Sequence, residues 1–188
     1  MEIKTILKSI TEELAQCYSL MDEEQIQELE RRVKKANRIY VAGAGRSLLM
    51  IRGFAMRLMH MGFISYVVGE TVTPAIAPGD LLIIASGSGS TGTLTSIATK
   101  CKKIGADLAL ITAAPNSIIG NMADHIVEIP TYTCKMEGEP KRESVQLGGN
   151  TFEQSVLLVC DAIIIDIVNN MSLEESNTTL MSRHANLE

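Results

Sequence analysis

The spacing of hydrophobic residues changes once along the chain, near residue 38. Before that point, residues 3–20 and 23–36 carry apolar side chains three or four positions apart, which is the period of amphipathic helices. The first stripe contains Ile3, Ile6, Leu7, Ile10 and Leu14, and the second contains Ile26, Leu29 and Val33. Residues 1–37 are therefore predicted to form two N-terminal helices.

Short, continuously apolar runs follow residue 38, each ending in Gly, Ser, Thr or Pro, and this pattern is typical of buried strands. Helical segments separate most of these runs, at 48–61, at 94–104 and near Ile118. Strands that alternate with helices in this way predict an α/β fold, in which a parallel sheet is covered on both faces. The five predicted strands lie within residues 38–130, at 39–42, 64–68, 81–85, 108–112 and 125–129.

Residues 133–150 are rich in Lys, Glu and Gly and are predicted to be an exposed loop. A long helix is predicted to follow, from residue 151 or 152 to about residue 170. Its apolar residues, between Val156 and Val168, cover nearly its whole circumference. The helix is therefore predicted to be buried against the sheet, with a second subunit as a hypothesis for the rest of its surface.

Composition fits one domain spanning residues 1–188, because 46% of the residues are hydrophobic, enough to close a single core. The 17 basic and 22 acidic residues give a net charge of -5, which would repel a nucleic-acid backbone. The apolar runs at 81–85 and 162–165 are far shorter than the roughly 20 residues of a membrane span. The N-terminus also lacks the pattern of a signal peptide. We expect a cytoplasmic protein that binds neither nucleic acid nor membrane.

The four cysteines and three histidines are scattered along the chain, with no Cys-x-x-Cys spacing among them. This dispersion argues against both a zinc site and a disulfide framework. We therefore expect no metal, and we expect Cys17, Cys101, Cys134 and Cys160 to be reduced apolar fillers.

The most informative segment is Ala85-Ser-Gly-Ser-Gly-Ser-Thr-Gly-Thr93, which joins a predicted buried strand to a predicted helix. Ligands of open α/β sheets bind at such turns, where glycines allow close approach and a helix N-terminus offers free N–H groups. Hydroxyl donors complete a candidate phosphate site, supplied by Ser86, Ser88, Ser90 and Thr91.

Three other interpretations of this segment are a dinucleotide fingerprint, a Walker loop and a simple helix cap. A dinucleotide fingerprint requires an acidic residue about 20 positions later, but the next strand runs into Thr112 and Ala113. A Walker loop requires Lys followed by Ser or Thr after its last glycine, where Thr93 and Leu94 stand. A simple helix cap stays open as an alternative, although it needs one hydroxyl and the segment has four.

A second strand-to-helix turn, at residues 43–47, supplies Gly45, Arg46 and Ser47 at the same predicted edge of the sheet. Arg46 is a candidate for binding phosphate or sugar oxygens, and pairing with a nearby carboxylate is the alternative.

Several strings together carry a family resemblance, namely GAGRS, AMRLMHMG, VGETVTPAIAPGD, SGSGST, NTFEQS and the terminal RHANLE. In this order they resemble a SIS domain, and within it the 6-phospho-3-hexuloisomerase family, over essentially the whole chain. The resemblance implies a five-stranded parallel sheet flanked by helices in a three-layer, flavodoxin-like sandwich. It also implies dimers or tetramers with shared active sites, no cofactor, and interconversion of 3-hexulose 6-phosphate with fructose 6-phosphate, as in formaldehyde assimilation by the ribulose monophosphate pathway.

Two positions depart from the family pattern. Ser90 stands where members commonly have Glu, and Leu147-Gly148 lies within a segment where they have QPMG. The second departure adjoins the helix that is expected to carry the catalytic acid, so it bears on which sugar phosphate is bound.

The resemblance implies two catalytic side chains. Glu153, at the start of the last helix, is the expected base that moves a proton between carbons through a cis-enediol, and stabilising the helix N-terminus is the alternative. His184, in the C-terminal tail, is expected to move protons between enediol oxygens at a neighbouring subunit's site. His60 is expected to be structural, with substrate contact as the alternative.

Two other functions fit the same pattern. One is an isomerase of another phosphosugar, such as a pentose 5-phosphate, and the other is a non-catalytic SIS module that senses sugar phosphates.

Overall fold

A computed structural model describes residues 2–131 and 144–187. Two helices come first, α1 (Ile3–Tyr18) and α2 (Glu23–Lys35). The alternating region and the C-terminal helices then follow in this order: β1 (Ile39–Gly43), α3 (Gly45–His60), β2 (Ser65–Val67), β3 (Leu81–Ala85), α4 (Gly92–Ile104), β4 (Asp107–Thr112), a 3-10 turn (Gly120–Met122), β5 (His125–Glu128), α5 (Asn150–Ile167) and α6 (Leu173–Met181). Residues 132–143, which hold most of the predicted loop and Cys134, lie outside the described part.

The five strands form one parallel sheet in the order β2-β1-β3-β4-β5, so the predicted fold class is confirmed. The chain runs from β1 outward to β2 and then returns to the other side of β1 to form β3. This reversal creates a crevice between the carboxyl ends of β1 and β3, where open α/β sheets bind ligands.

Alternating side chains of each strand enter two separate cores, because successive residues of a strand point to opposite faces. Leu81 and Ile83 face the core formed with α2, α3 and α5, whereas Leu82 and Ile84 face the core formed with α4. Three layers result, with the sheet in the middle. The central strand β3 is buried along its entire length, which explains why its sequence is a continuous apolar run.

The two stripes predicted for the N-terminal helices are buried to very different extents. In α2, Leu29 and Val33 are completely buried. In α1, Leu14 is buried but Ile3 remains 75% exposed and Leu7 57% exposed. The first two turns of α1 therefore extend an apolar stripe beyond the body of this single chain.

Helix α6 was not predicted from the sequence. It begins with a capping box, in which the Ser172 hydroxyl accepts from the Glu175 N–H and the Glu175 carboxylate accepts from the Ser172 N–H. None of its residues is buried, so it lacked the apolar stripe that identifies a packed helix. The S-x-x-E spacing was the available signal.

Candidate active site

Three chain segments meet at the crevice between β1 and β3 and enclose a cavity of about 240 Å³. The first segment joins β1 to α3, the second joins β3 to α4, and the third is the N-terminus of α5. The lining consists of Ala44, Gly45, Arg46, Ser47, Ala85, Ser86, Gly87, Ser88, Thr91, Leu94, Gly149, Phe152 and Glu153.

The turn after β3 is held rigidly by the chain segment that follows β4. The carbonyl oxygen of Gly87 accepts hydrogen bonds from the Ala113 N–H at 3.1 Å and from the Thr112 hydroxyl at 3.2 Å. The Ile119 N–H donates to the carbonyl oxygen of Gly89 at 2.9 Å. Gly89 has φ of +58°, a left-handed conformation that favours glycine. The turn is therefore preorganised before any ligand binds.

The hydroxyl groups of this turn include one buried oxygen with no partner. Ser86 is only 3% exposed, and its Oγ makes no hydrogen bond within the described part of the chain. Such an unpaired buried group costs about 1–3 kcal/mol, and a ligand oxygen in the cavity would remove that cost. Thr91 precedes α4 and, among the described residues, its side chain does not cap the helix, so its hydroxyl is also free to bind an anion.

Glu153, in the first turn of α5, brings a carboxylate into the same cavity. Its side chain is only 16% exposed, and its Oε2 accepts a hydrogen bond from Nε of Arg46. Arg46 is itself 56% exposed, so its guanidinium can reach both the carboxylate and a ligand oxygen. The site thus combines hydroxyl donors, one cation and one carboxylate in a single cavity.

Two predicted site residues lie outside this cavity. Ser90 is exposed and is not a lining residue, and its N–H donates to the Ser88 hydroxyl at 3.4 Å. The ring of His184 stacks on the ring of His60, with centroids 5.5 Å apart. His60 ends α3 while Gly45 begins it, and a helix of 16 residues is about 24 Å long. His184 is therefore far from the cavity of its own chain.

The pair of histidines lies among basic groups. Arg183 Nη1 donates to the carbonyl oxygen of His60 at 3.3 Å, and Arg57 Nη1 lies 3.5 Å from its Nδ1. Burial lowers the pKa of His60, and the nearby charges of Arg57 and His184 lower it further. His60 is thus a buried residue that is neutral at pH 7, and its structural role stays a prediction.

Several lining residues could not be singled out from the sequence. Ala44, Gly87 and Leu94 line the cavity with small or apolar surface. Phe152, next to Glu153 in the chain, also lines it. Phe152 is 1% exposed, so its apolar type indicated only burial. Gly149 is a lining residue whose glycine-rich context was visible, although its place at the cavity was not.

A larger cavity of about 680 Å³ lies near the amino ends of the strands. Several of its charged side chains pair with one another, since Arg32 pairs with Asp107 and Glu28 and Arg31 pairs with Glu28. Its lining includes no serine or threonine hydroxyl. Among residues 2–131 and 144–187, no group of three His, Cys, Asp or Glu residues is placed to hold a metal ion, and no helix is long and apolar enough to cross a membrane.

The sheet order and the cavity define an α/β protein with a cavity, lined by hydroxyl groups, an arginine and a carboxylate, at the reversal of its strand order. The family model of the SIS domain matches residues 33–135. The 3-hexulose-6-phosphate isomerase of Bacillus subtilis (strain 168) is 39% identical over 194 residues, covering 100% of both chains. That of Mycobacterium gastri is 40% identical over 187 residues, covering 100% of this chain and 92% of its own.

The solved structure of a Methanococcus jannaschii protein, for which a molecular function of 3-hexulose-6-phosphate isomerase was inferred, superposes on this chain with a TM-score of 0.81. It is 33% identical and covers 98% of this chain and 99% of its own. The chain belongs to the SIS-domain family, in its 3-hexulose-6-phosphate isomerase branch.

Proposed function

We propose that the protein is an isomerase that interconverts 3-hexulose 6-phosphate and fructose 6-phosphate. The observation that carries the proposal is that the Ser86 hydroxyl and the Glu153 carboxylate line one cavity. Anchoring of a phosphate and transfer of a proton are the two tasks that this isomerisation requires. Full-length similarity to two 3-hexulose-6-phosphate isomerases supports the choice of substrate.

The phosphate is assigned to the turn after β3. Ser86, Ser88 and Thr91 line the cavity with hydroxyl groups, and α4 begins immediately afterwards. The positive end of the helix and its free N–H groups favour a dianion at this position. Ser90 is exposed and does not line the cavity, so we expect its departure from the family pattern to leave phosphate binding intact.

Glu153 is assigned the proton transfer. In the forward direction its carboxylate removes the proton from C2 of the 3-ketose, which gives a cis-enediol, and then returns a proton to C3. The 3-ketose carries its phosphate on O6 and cannot close a five-membered ring onto that oxygen, so it enters the cavity as an open chain. Arg46 holds the carboxylate before the sugar arrives and is placed to bind a sugar or phosphate oxygen afterwards.

A homo-oligomer, either a dimer or a tetramer, is proposed to complete the site through the C-terminal tail. Apolar side chains exposed on the single chain support this assembly: Ile3 75%, Leu7 57%, Leu158 44%, Ile165 67% and Leu173 78%. His184 lies far from its own cavity and is proposed to serve a neighbouring subunit, where its imidazole moves protons between the enediol oxygens. We place the protein in the cytoplasm, which the buried thiols of Cys101 and Cys160, neither of them in a disulfide, support.

Deuterium exchange into fructose 6-phosphate in heavy water tests the reaction and the substrate together. An enediol between C2 and C3 places deuterium on C3, whereas an aldose-forming enediol between C1 and C2 places it on C1. We expect exchange at C3 in the NMR spectrum. Exchange at C1 alone would identify a different phosphosugar isomerase, and binding without any exchange would identify the sugar-phosphate sensor.

Glu153→Gln tests the assignment of the base. The variant keeps the shape of the side chain but cannot accept the carbon-bound proton, so we expect exchange to fall at least ~100-fold while fructose 6-phosphate still binds. The matched control is Glu128→Gln, at the end of β5 and outside the cavity lining. Near-normal exchange by Glu153→Gln would rule out its role.

Mixed oligomers test the shared site. Glu153→Gln and His184→Ala subunits are each expected to be inactive alone. If the tail serves a neighbour, refolding the two together restores activity, because some sites then combine an intact Glu153 with an intact His184. Sedimentation as a monomer, or no recovery in oligomers shown to be mixed, contradicts this arrangement.

A further inference from the structure

The segment that leads into α5 is tied to the N-terminal helix α1 by one carboxylate. Glu13 Oε1 accepts a hydrogen bond from the Ser144 hydroxyl at 2.8 Å, and Oε2 accepts one from the Val145 N–H at 3.0 Å. The Thr151 hydroxyl also donates to Glu13 Oε1. These donors lie more than 130 positions further along the chain, so Glu13 connects helix α1 to the segment that leads into α5.

Thr151 connects this carboxylate to the start of α5, the helix that carries the proposed base Glu153. It is the second residue of α5 and only 4% exposed, and its Oγ1 also accepts from Gln146 Nε2 at 3.1 Å. Within the described chain, the residue before the helix, Gly149, provides no side-chain cap for it. The carboxylate of Glu13 therefore holds the Thr151 side chain and places a negative charge near the positive end of α5.

The segment held in this way contains two parts of the active site. Gly149 lines the cavity, and Glu153 follows Thr151 by two positions. The Glu153 N–H donates to the carbonyl oxygen of Gly149 at 3.0 Å, so the two move together. A displacement of residues 144–151 would therefore displace the proposed base relative to the proposed phosphate turn. That turn follows β3 and is held by hydrogen bonds from residues near the end of β4.

We propose that Glu13 is a positioning residue for the isomerase reaction, holding residues 144–151 so that the Glu153 carboxylate meets the substrate carbon. The proposal rests on Glu153 being the base, as set out above. Helix α1 lies outside the residues 33–135 that the SIS family model matches, so it is an element beyond the matched region that completes the geometry. The buried neighbour Leu14 anchors this part of α1 in the body of the chain.

The size of the effect follows from the geometry of proton transfer. A misplacement of about 1 Å in a reacting group can reduce turnover ~100-fold. We expect Glu13→Ala to reduce kcat roughly 10-fold to 100-fold on this basis. Glu13→Gln should lose less, because its amide oxygen still accepts from a hydroxyl, although its amide nitrogen cannot accept from the Val145 N–H. KM for fructose 6-phosphate should change less than about 3-fold, because Glu13 does not contact the phosphate turn.

The experiment measures deuterium exchange at C3 of fructose 6-phosphate for full-length Glu13→Ala, Glu13→Gln and Thr151→Val, with circular dichroism as the test of folding. Glu12→Gln is the matched control, since Glu12 is exposed and, among the described residues, its ion pair is with Lys8 on the helix surface at 3.7 Å. A fall in kcat with KM retained, and a Glu13→Gln/Thr151→Val double variant no worse than the poorer single variant, supports the proposal.

If Glu13→Ala does not fold, the other two variants carry the test. Unchanged kcat in folded Glu13→Gln and Thr151→Val overturns the positioning role, and so does a parallel loss of kcat and substrate binding. Glu153→Gln is measured beside them. Loss of activity in Glu153→Gln with full activity in the Glu13 variants refutes only the positioning role, whereas full activity in Glu153→Gln refutes the proposed base itself.

Discussion

Gly89, in the proposed phosphate turn after β3, and Gly92, at the start of α4, are expected to respond very differently to substitution by alanine. Gly89 has φ of +58°, and a methyl group added to it would lie 1.9 Å from Ser117 Oγ and 2.6 Å from Ser117 Cβ. Gly92 begins α4, and a methyl group added there meets no atom within 4 Å. Gly89→Ala and Gly92→Ala therefore form a matched pair that differs in backbone conformation and in crowding.

The destabilisation by Gly89→Ala has two parts. A left-handed conformation costs a residue other than glycine about 1–2 kcal/mol. Crowding in a well-packed region costs about 1–3 kcal/mol more, since Ser117 or the turn must shift. The free energy of unfolding should thus fall by roughly 2–5 kcal/mol, which corresponds to a decrease in Tm of about 4–20 °C for a chain of this size. Gly92→Ala should stay within about 1 kcal/mol of the parent protein.

Thermal unfolding and KM for fructose 6-phosphate are measured on both variants. Because the phosphate is assigned to this turn, Gly89→Ala should also raise KM at least ~10-fold, a loss of about 1.4 kcal/mol in binding. Adding Ser117→Gly should recover the crowding part but not the conformational part. The single Ser117→Gly variant is needed as its reference, because the Ser117 hydroxyl accepts from the Gly120 N–H. Equal Tm and KM values for Gly89→Ala and Gly92→Ala would refute the reasoning.

Two further predictions concern hydroxyl and thiol groups. Ser86→Ala should raise KM for fructose 6-phosphate about 10-fold to 100-fold, because it removes a hydrogen bond to a charged group. Ser90→Ala, at an exposed residue, should change KM less than about 2-fold. Equal effects of the two substitutions on KM would contradict the assignment of Ser86, and not Ser90, to the phosphate site. Burial raises the pKa of the Cys101 thiol to about 11 and raises the pKa of Cys160 further. In a Cys134→Ser background, both should react with a disulfide reagent at pH 8 at least ~100-fold more slowly when folded than in urea, and rapid labelling of the folded protein would show that they are accessible.

The strands were predictable because a strand that is buried on both faces of the sheet has a continuous run of apolar residues in the sequence. The predicted strand 81–85 coincides with β3, whose five residues are all buried. The predicted strand 64–68 is longer than β2, which has only three half-buried residues and pairs with a single neighbour. Helix α3 begins at Gly45 and not at residue 48, so Arg46 and Ser47 belong to its first turn. Edges and helix ends depend on local hydrogen bonds that hydrophobic patterns do not encode.

The active site was predictable only as far as it depends on the sheet. Ser86 and Arg46 follow strands that the apolar runs identify, and parallel strands present their carboxyl ends at one edge, so their meeting follows from topology. Glu153 lies 107 positions after Arg46, and its arrival at the same edge depends on how the chain returns from β5. The spacing of residues around Glu153 does not indicate where the chain places the start of α5. The resemblance pointed to Glu153, whereas Glu13 showed no sign of its partners, because they lie more than 130 positions further along the chain.

The position of the proposed base thus depends on a part of the chain that the sheet does not control. The phosphate turn is fixed within the sheet by hydrogen bonds from the segment after β4, and this arrangement needs only residues between β3 and the 3-10 turn. Glu153 instead stands on a helix whose start is held by Glu13 and whose carboxylate is held by Arg46. Substrate binding and proton transfer therefore have separate structural supports. Substitutions in the turn should act mainly on KM, and those around the start of α5 mainly on kcat, because each changes the position of only one of the two groups.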